Sequence, residues 1–325
     1  MIPAASAELL LANLSSPVVL AFVLGALARW LRSDLEIPAP IQSYLSIFLL
    51  LAIGLKGGVA LRTQDPATVL ALIAATIALG IVTTLTAWLA ARLLLRDGRV
   101  QAGAMAAHYG SVSAVTFIAA QQFTERGANP AEGVLVALVV ALEIPAILLG
   151  LALAQGRAGL RGPALREVLV GRTAVLLVGG LVIGALGSRA GIDAVDNMYV
   201  QLFQGTLMLF MLDMGMLAAS RRREIRADAV RLVLYATAVP LLHGLFGAMV
   251  GVACGLSAAG ATVFATMAAS ASYIAAPAAV RASLPEADAA RCIAASLAIT
   301  FPFNLAIGIP LYSAWVGFVL RQQGG

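Results

Sequence analysis

Residues 106–117 read AAHYGSVSAVTF, and residues 268–280 read AASASYIAAPAAV. Both stretches lie inside long apolar segments. Gly110, Ser111, Ser113 and Thr116 interrupt a good helix former in the first; Ser270, Ser272, Tyr273 and Pro277 do so in the second. Small polar residues and a proline at mid-span predict a helix broken in two. Its half-helix N-terminus and freed N–H groups can hold a small anion. The same residues also suit plain helix packing, because small side chains let backbones approach and hydroxyls bond back to their own helix. Two such motifs at repeat-related positions favour the first reading.

Around these stretches the chain is apolar almost throughout. Its 325 residues are 61% hydrophobic and 11% charged, with mean hydropathy +0.95. This excludes a soluble domain and describes an all-α, polytopic membrane protein. At about 20 apolar residues per span, ten segments are expected, at 16–32, 42–62, 67–95, 100–123, 131–155, 167–189, 197–219, 228–255, 259–282 and 288–320. The last is long enough to bend at Pro302 and Pro310. The N-terminal MIPAASAELLLANLSS has no basic region, so no cleaved signal peptide is expected. Cys254 and Cys292 are expected near opposite faces, unpaired. Trp30, Trp88 and Trp315 read as interface anchors.

Sixteen arginines fall in connections after odd-numbered segments, including the run Arg221, Arg222, Arg223. Only four, Arg62, Arg126, Arg189 and Arg321, fall in the other connections and the termini. This asymmetry places the odd connections in the cytoplasm and both termini outside, in a multi-pass protein of a bacterial inner membrane. The net charge of +5 is therefore topology, not a nucleic-acid surface. The partners expected are membrane lipid and a small solute, with no nucleic acid.

Five spans plus five invites a search for a repeat. ALVVALEIPAILLG (137–150) aligns with the stretch at 294–308 at an offset of 157, matching Pro145 to Pro302. An offset of 159 lays HYGSVSAV (108–115) over MAASASYI (267–274). Because five is odd, the second half starts from the opposite side and the repeats, 1–156 and 157–325, are inverted. Inverted repeats are a transporter signature, with cargo held near the midplane.

Ionisable residues inside spans are functional candidates. Lys56, in AIGLKGGVALR (52–62), is the only lysine, and Glu143 and Asp213 are the only acids deep in spans. The offset of 157 carries Lys56 onto Asp213. A salt bridge or shared polar site is expected between them, either lining the transport path or locking two helices. His108 and His243 have no cysteine or carboxylate at ligand spacing, so no metal centre is expected. His108 beside Ser111 and Ser113 raises a serine hydrolase, but GSVSA lacks the G-x-S-x-G elbow. The expectation is a protein that is not an enzyme.

At IGLKGGVALR, GSVSAVTFIAA, LEIPAIL, LMLFMLDMGM and AASASYIAAPAAVRASLP, in order along nearly the whole chain, the sequence resembles the sodium-dependent bicarbonate transporter family. The resemblance implies two inverted five-helix repeats with crossed broken helices in segments four and nine. It implies a scaffold or gate from 16–62 and 167–219, a core from 67–155 and 228–320, and a homotrimer. It departs from the family at the cation site. Where the family reads like SSSDISGP, this chain has SASYIAAP, with Tyr273 for the acid; Val115 replaces a serine; Glu143 is lengthened from aspartate; Lys56 stands for a threonine and Asp213 for an apolar residue. Oxygen ligands for a hard cation are fewer, and a lysine has appeared.

The expectation is therefore a secondary transporter moving a small anion, bicarbonate by resemblance, by alternating access. Coupling is expected to be sodium-independent or to protons, with Lys56 taking a cation's role. Gly110, Ser111, Ser113, Thr116, Ser270, Ser272 and Lys56 would bind substrate. Asp213, Glu143, Tyr273 and Lys56 would balance charge. Glu143, Ser113 and Ser272 form a residual sodium site, and Na+ is the one cofactor considered. The alternatives are a cation-coupled symporter of a small organic anion and a non-transporting membrane sensor.

Overall fold

A computed structural model of the protein describes residues 11–125, 131–156, 163–221 and 229–323. Arg126, Arg157, Arg161, Arg222, Arg223 and Arg226, which contribute to the arginine asymmetry, lie outside these residues. The described residues are helical, with no strand among them. In chain order the helices are α1 (Pro17–Trp30), α2 (Ala39–Leu61), α3 (Pro66–Leu95), α4 (Arg99–Gly110), α5 (Ala114–Glu125), α6 (Leu135–Gln155) and α7 (Pro163–Val170). They continue with α8 (Arg172–Leu186), α9 (Arg189–Asp196), α10 (Phe203–Ser220), α11 (Ala229–Ala253), α12 (Ala258–Ala268), α13 (Ala275–Ser283) and α14 (Ala289–Gln322). Seven helical stretches are long and apolar enough to cross a membrane: α2, α3, α6, the α7–α8 stretch Leu165–Leu186, α10, α11 and α14.

The starts of these helices follow from local chemistry. Asp65 caps α3, its Oδ2 accepting the Thr68 N–H at 2.9 Å, with Pro66 in the first turn, where no N–H is missed. Ser16, Ser188 and Ser257 cap α1, α9 and α12 in the same way. In α14 the expected bend at Pro302 takes a particular form. The helix runs on through wide π turns at Ala294–Thr300 and Asn304–Gly308, flanking the residue that cannot donate an N–H.

Two packing themes position the rest. α2 lies closest against α8 and α10 against α1. At the first crossing Gly54 faces Gly180 and Gly58 faces Gly184, and a Cβ on Gly58 would overlap the Leu181 carbonyl. These are paired G-x-x-x-G faces that let two backbones touch. The remaining helices interpack through α3–α4–α6 and α11–α12–α14.

Polar contacts sort the connections into two ends. At one end Arg291 pairs with Asp97 at 2.7 Å, Gln101 accepts the Asp288 N–H at 2.8 Å, and Arg99 donates to the Leu153 carbonyl at 2.8 Å. At the other, Arg62 donates to the carbonyls of Gly184 and Gly187, and Glu132 accepts the Ser257 N–H at 2.6 Å. The first end joins connections after segments three, five and nine; the second joins those after two and six, and after four and eight. Cys254 is exposed, Cys292 is buried, and both are free thiols.

Candidate functional site

The two motifs break their helices. α4 stops at Gly110 and α5 starts at Ala114; α12 stops at Ala268 and α13 starts at Ala275. The four serines then divide into two roles, repeated at the offset of 159. Ser111 Oγ donates to the His108 carbonyl (3.3 Å) and Ser270 Oγ to the Met267 carbonyl (2.7 Å), closing the ends of the first half-helices. Ser113 Oγ accepts the Thr116 N–H (3.2 Å) and Ser272 Oγ the Ala276 N–H (3.1 Å), opening the second half-helices. The breaks are also bonded to each other. Ser113 N–H donates to Ser270 Oγ (2.9 Å), and Ser272 N–H donates to the His108 carbonyl (2.8 Å). Gly110 packs flat on Thr84 of α3, where a Cβ would clash. All four serines and Thr116 are buried.

A small cavity of about 10 Å3, room for one water-sized occupant, opens where the breaks meet. Val112, Ser113 and Ala114 line it from one break, and Ser272, Tyr273, Ile274 and Ala275 from the other, with Glu143 of α6 and Thr173 of α8 closing it. Both second half-helices therefore begin at this cavity, bringing the positive ends of two helix dipoles together. Glu143 is only 4% exposed, and no described residue pairs with its carboxylate. The Tyr273 hydroxyl is buried beside Ser113, and its ring packs edge-on to Phe301 at 5.5 Å. Glu143, Ser113 and Ser272, the residual cation set of the sequence, thus share one cavity, and Tyr273 joins them.

A second cavity of about 350 Å3 adjoins the first, sharing Glu143, Thr173, Ile274 and Ala275 and adding Arg172, Arg281 and Glu167. Sequence reasoning missed Thr173, Arg172 and Arg281. Arg172 and Thr173 sit at a helix start remote in sequence from the motifs, and Arg281 directly follows the second motif at the end of its half-helix; each reads as an ordinary connection residue. It also passed over Asn304, whose Nδ2 donates to the Ala269 carbonyl at 2.9 Å and steadies the second break from α14.

Lys56 and Asp213 are not brought together. Lys56 is exposed, with its ammonium 4.8 Å from the centroid of the Phe203 ring, a cation–π contact. Asp213 is buried and accepts a hydrogen bond from Gln42 Nε2 at 2.8 Å. It lines a different cavity of about 400 Å3 with Arg29, Asp34 and Glu36. The expected salt bridge is therefore absent from this structure. Lys56 and Gln42, the partner of Asp213, are fourteen residues apart on α2, about 21 Å of helix, so the two charges lie towards opposite ends of it.

Among the described residues no group of three metal-ligating side chains occurs. His108 Nδ1 bonds the Ala104 carbonyl at 2.8 Å, and His243 Nε2 bonds Thr86 at 2.8 Å. Neither Ser111 nor Ser113 bonds an imidazole, so no serine–histidine pair is assembled.

No curated protein matches the sequence. A family model matches residues 17–317, nearly the whole chain, and with its apolar helices meeting at two broken segments this multi-pass membrane protein belongs to the Na+-dependent bicarbonate transporter superfamily.

Proposed function

We propose that the protein is a cation-coupled secondary transporter of a small anion, bicarbonate in the first instance, working by alternating access. One observation carries the reading: two half-helix N-termini and one unpaired carboxylate, Glu143, line the same small buried cavity. The N-termini favour negative charge, and Glu143, once ionised, needs an accompanying cation in its buried setting. Counting α1, α4–α5 and α12–α13 with the seven long helices gives ten spans. The serine pairs at one offset, and the matched packing of α2 on α8 and α10 on α1, support two inverted five-helix repeats. In this reading α1, α2, α8 and α10 form the scaffold, and the other helices form the core that moves against it. The arginine asymmetry supports cytoplasmic placement of the Asp97–Arg291 end, and the family resemblance supports a homotrimer, which chemical cross-linking in the native membrane would register as a triple mass.

The case for sodium-independent transport rested on fewer oxygen ligands in the core and on Lys56 standing opposite it. With Lys56 on Phe203, away from both cavities, the second ground is weakened. The oxygens of Glu143, Ser113, Ser272, Thr173 and Tyr273 around one small cavity suit a single sodium ion as co-transported cargo. The reading is tested by uptake of radiolabelled bicarbonate into proteoliposomes with and without an inward sodium gradient. Wild type should accumulate the label only with sodium. Glu143→Gln should lose gradient-driven uptake by on the order of 100-fold, and Lys56→Thr should stay within about twofold of wild type. Equal uptake without sodium, or a large loss in Lys56→Thr, returns the coupling role to the lysine. Flux that never saturates would make the protein a channel. A protein that binds the anion but moves none would be a sensor.

A further inference from the structure

The cavity at the breaks has room for one water-sized occupant, too little for a planar oxyanion in this conformation. The adjoining cavity of about 350 Å3 has room to spare, and two arginines line it. Arg172 reaches it from the first turn of α8, and Arg281 from the last turn of α13. Neither guanidinium has an ion-pair or hydrogen-bond partner among the described residues. The fifteen-residue helix α8 begins there at Gly171 with no side chain capping its N-terminus, and Gly171, Thr173 and Ala174 line the same wall. An uncapped helix start aims N–H groups at its surroundings. Glu143 lines the cavity from its buried side and Glu167 lines it as well, while the two guanidiniums reach it from the exposed side.

We propose that this cavity is a second anion site, in which Arg172, Arg281 and the N-terminus of α8 hold a planar oxyanion before it passes to, or after it leaves, the site at the breaks. The inference rests on the transporter reading for its place in the cycle. Its chemistry stands alone: a guanidinium offers a flat fork of donors that matches a flat oxyanion, so two of them select carbonate-like shapes over spherical ions such as chloride. Arg172 belongs to the α8 group and Arg281 to the broken-helix group. An anion between them ties the two sets of helices together in this conformation, and its departure frees them to move.

The test is equilibrium binding of radiolabelled bicarbonate to the purified full chain by scintillation proximity, with uptake into proteoliposomes measured in parallel. Arg172→Gln and Arg281→Gln should each weaken binding about tenfold, as expected for a lost charge-assisted hydrogen bond, and raise the uptake KM by a similar factor while leaving the maximal rate within about twofold. Arg281→Lys should recover only part of the loss, because an ammonium lacks the fork. Arg189→Gln, at a helix start elsewhere on the exposed surface, should change neither quantity. Binding by wild type that is unchanged in both glutamine variants overturns the site, as does an absence of wild-type binding. Arginine-dependent binding with no wild-type uptake leaves this site standing and removes the transporter reading instead. A fall in maximal rate with unchanged KM and binding would make the arginines structural and also overturn it.

Discussion

Ser272 shows how one residue both opens a half-helix and ties the two breaks together. Its Oγ opens α13 by accepting the Ala276 N–H, and its N–H crosses to the His108 carbonyl in the other break. Ser272→Ala removes the cap and keeps the crossing bond. It should cost about 1 kcal/mol of stability, the usual worth of such a cap, seen as a lower melting temperature in detergent. Ser272→Thr, which keeps the hydroxyl, should recover most of it. The sequence singled out this serine as part of a helix break, and also offered back-bonding to its own helix as the competing reading. The hydroxyls do bond locally, and that local bonding ends and restarts the helices at the cavity. Glu143 was legible as a costly intramembrane acid. Lys56 was equally legible, yet its partner was not, because an ammonium at the exposed end of a helix can settle over a ring such as Phe203 without a carboxylate.

The helices differ in how firmly they are held. α2 and α8 meet backbone to backbone through Gly54, Gly58, Gly180 and Gly184. Gly58→Leu puts a side chain where the Leu181 carbonyl already lies. It should destabilise the protein by about 3 kcal/mol or more, measured by thermal melting, and should prevent assembly if the helices cannot separate to make room. At the Asp97–Arg291 end a little-exposed ion pair joins the start of α4 to α14, the two side chains being 8% and 15% exposed. Asp97→Asn leaves a guanidinium short of its counter-charge and should lower stability by about 3 kcal/mol. The reversed pair Asp97→Arg with Arg291→Asp should recover part of that loss, the double-mutant signature of a direct interaction. The G-x-x-x-G pattern of α2 and α8 stood in the sequence unremarked. Such glycines are common among apolar residues, and only a facing helix gives them meaning.

At the scale of the molecule, a cation site that couples two sets of helices should register as stability. With sodium at 100 times its dissociation constant, mass action adds about 2.7 kcal/mol. The melting temperature in detergent should therefore rise in sodium chloride over choline chloride for wild type, and not for Glu143→Gln. An equal rise in the variant, or none in wild type, would move the cation site elsewhere. The sequence by itself determined that this is a helical membrane protein with two helices broken at Gly110–Ser113 and Ala269–Ile274, because apolar run length and small polar interruptions are local properties, sufficient where lipid forces every backbone group to find its partner within the protein. Tertiary structure alone decided which charges meet. It gathered Glu143, Thr173, Arg172 and Arg281 around the breaks and left Lys56 on Phe203 and Asp213 on Gln42. Charge pairing depends on where helices remote in sequence cross and on which face each presents, and neither is written in any one segment.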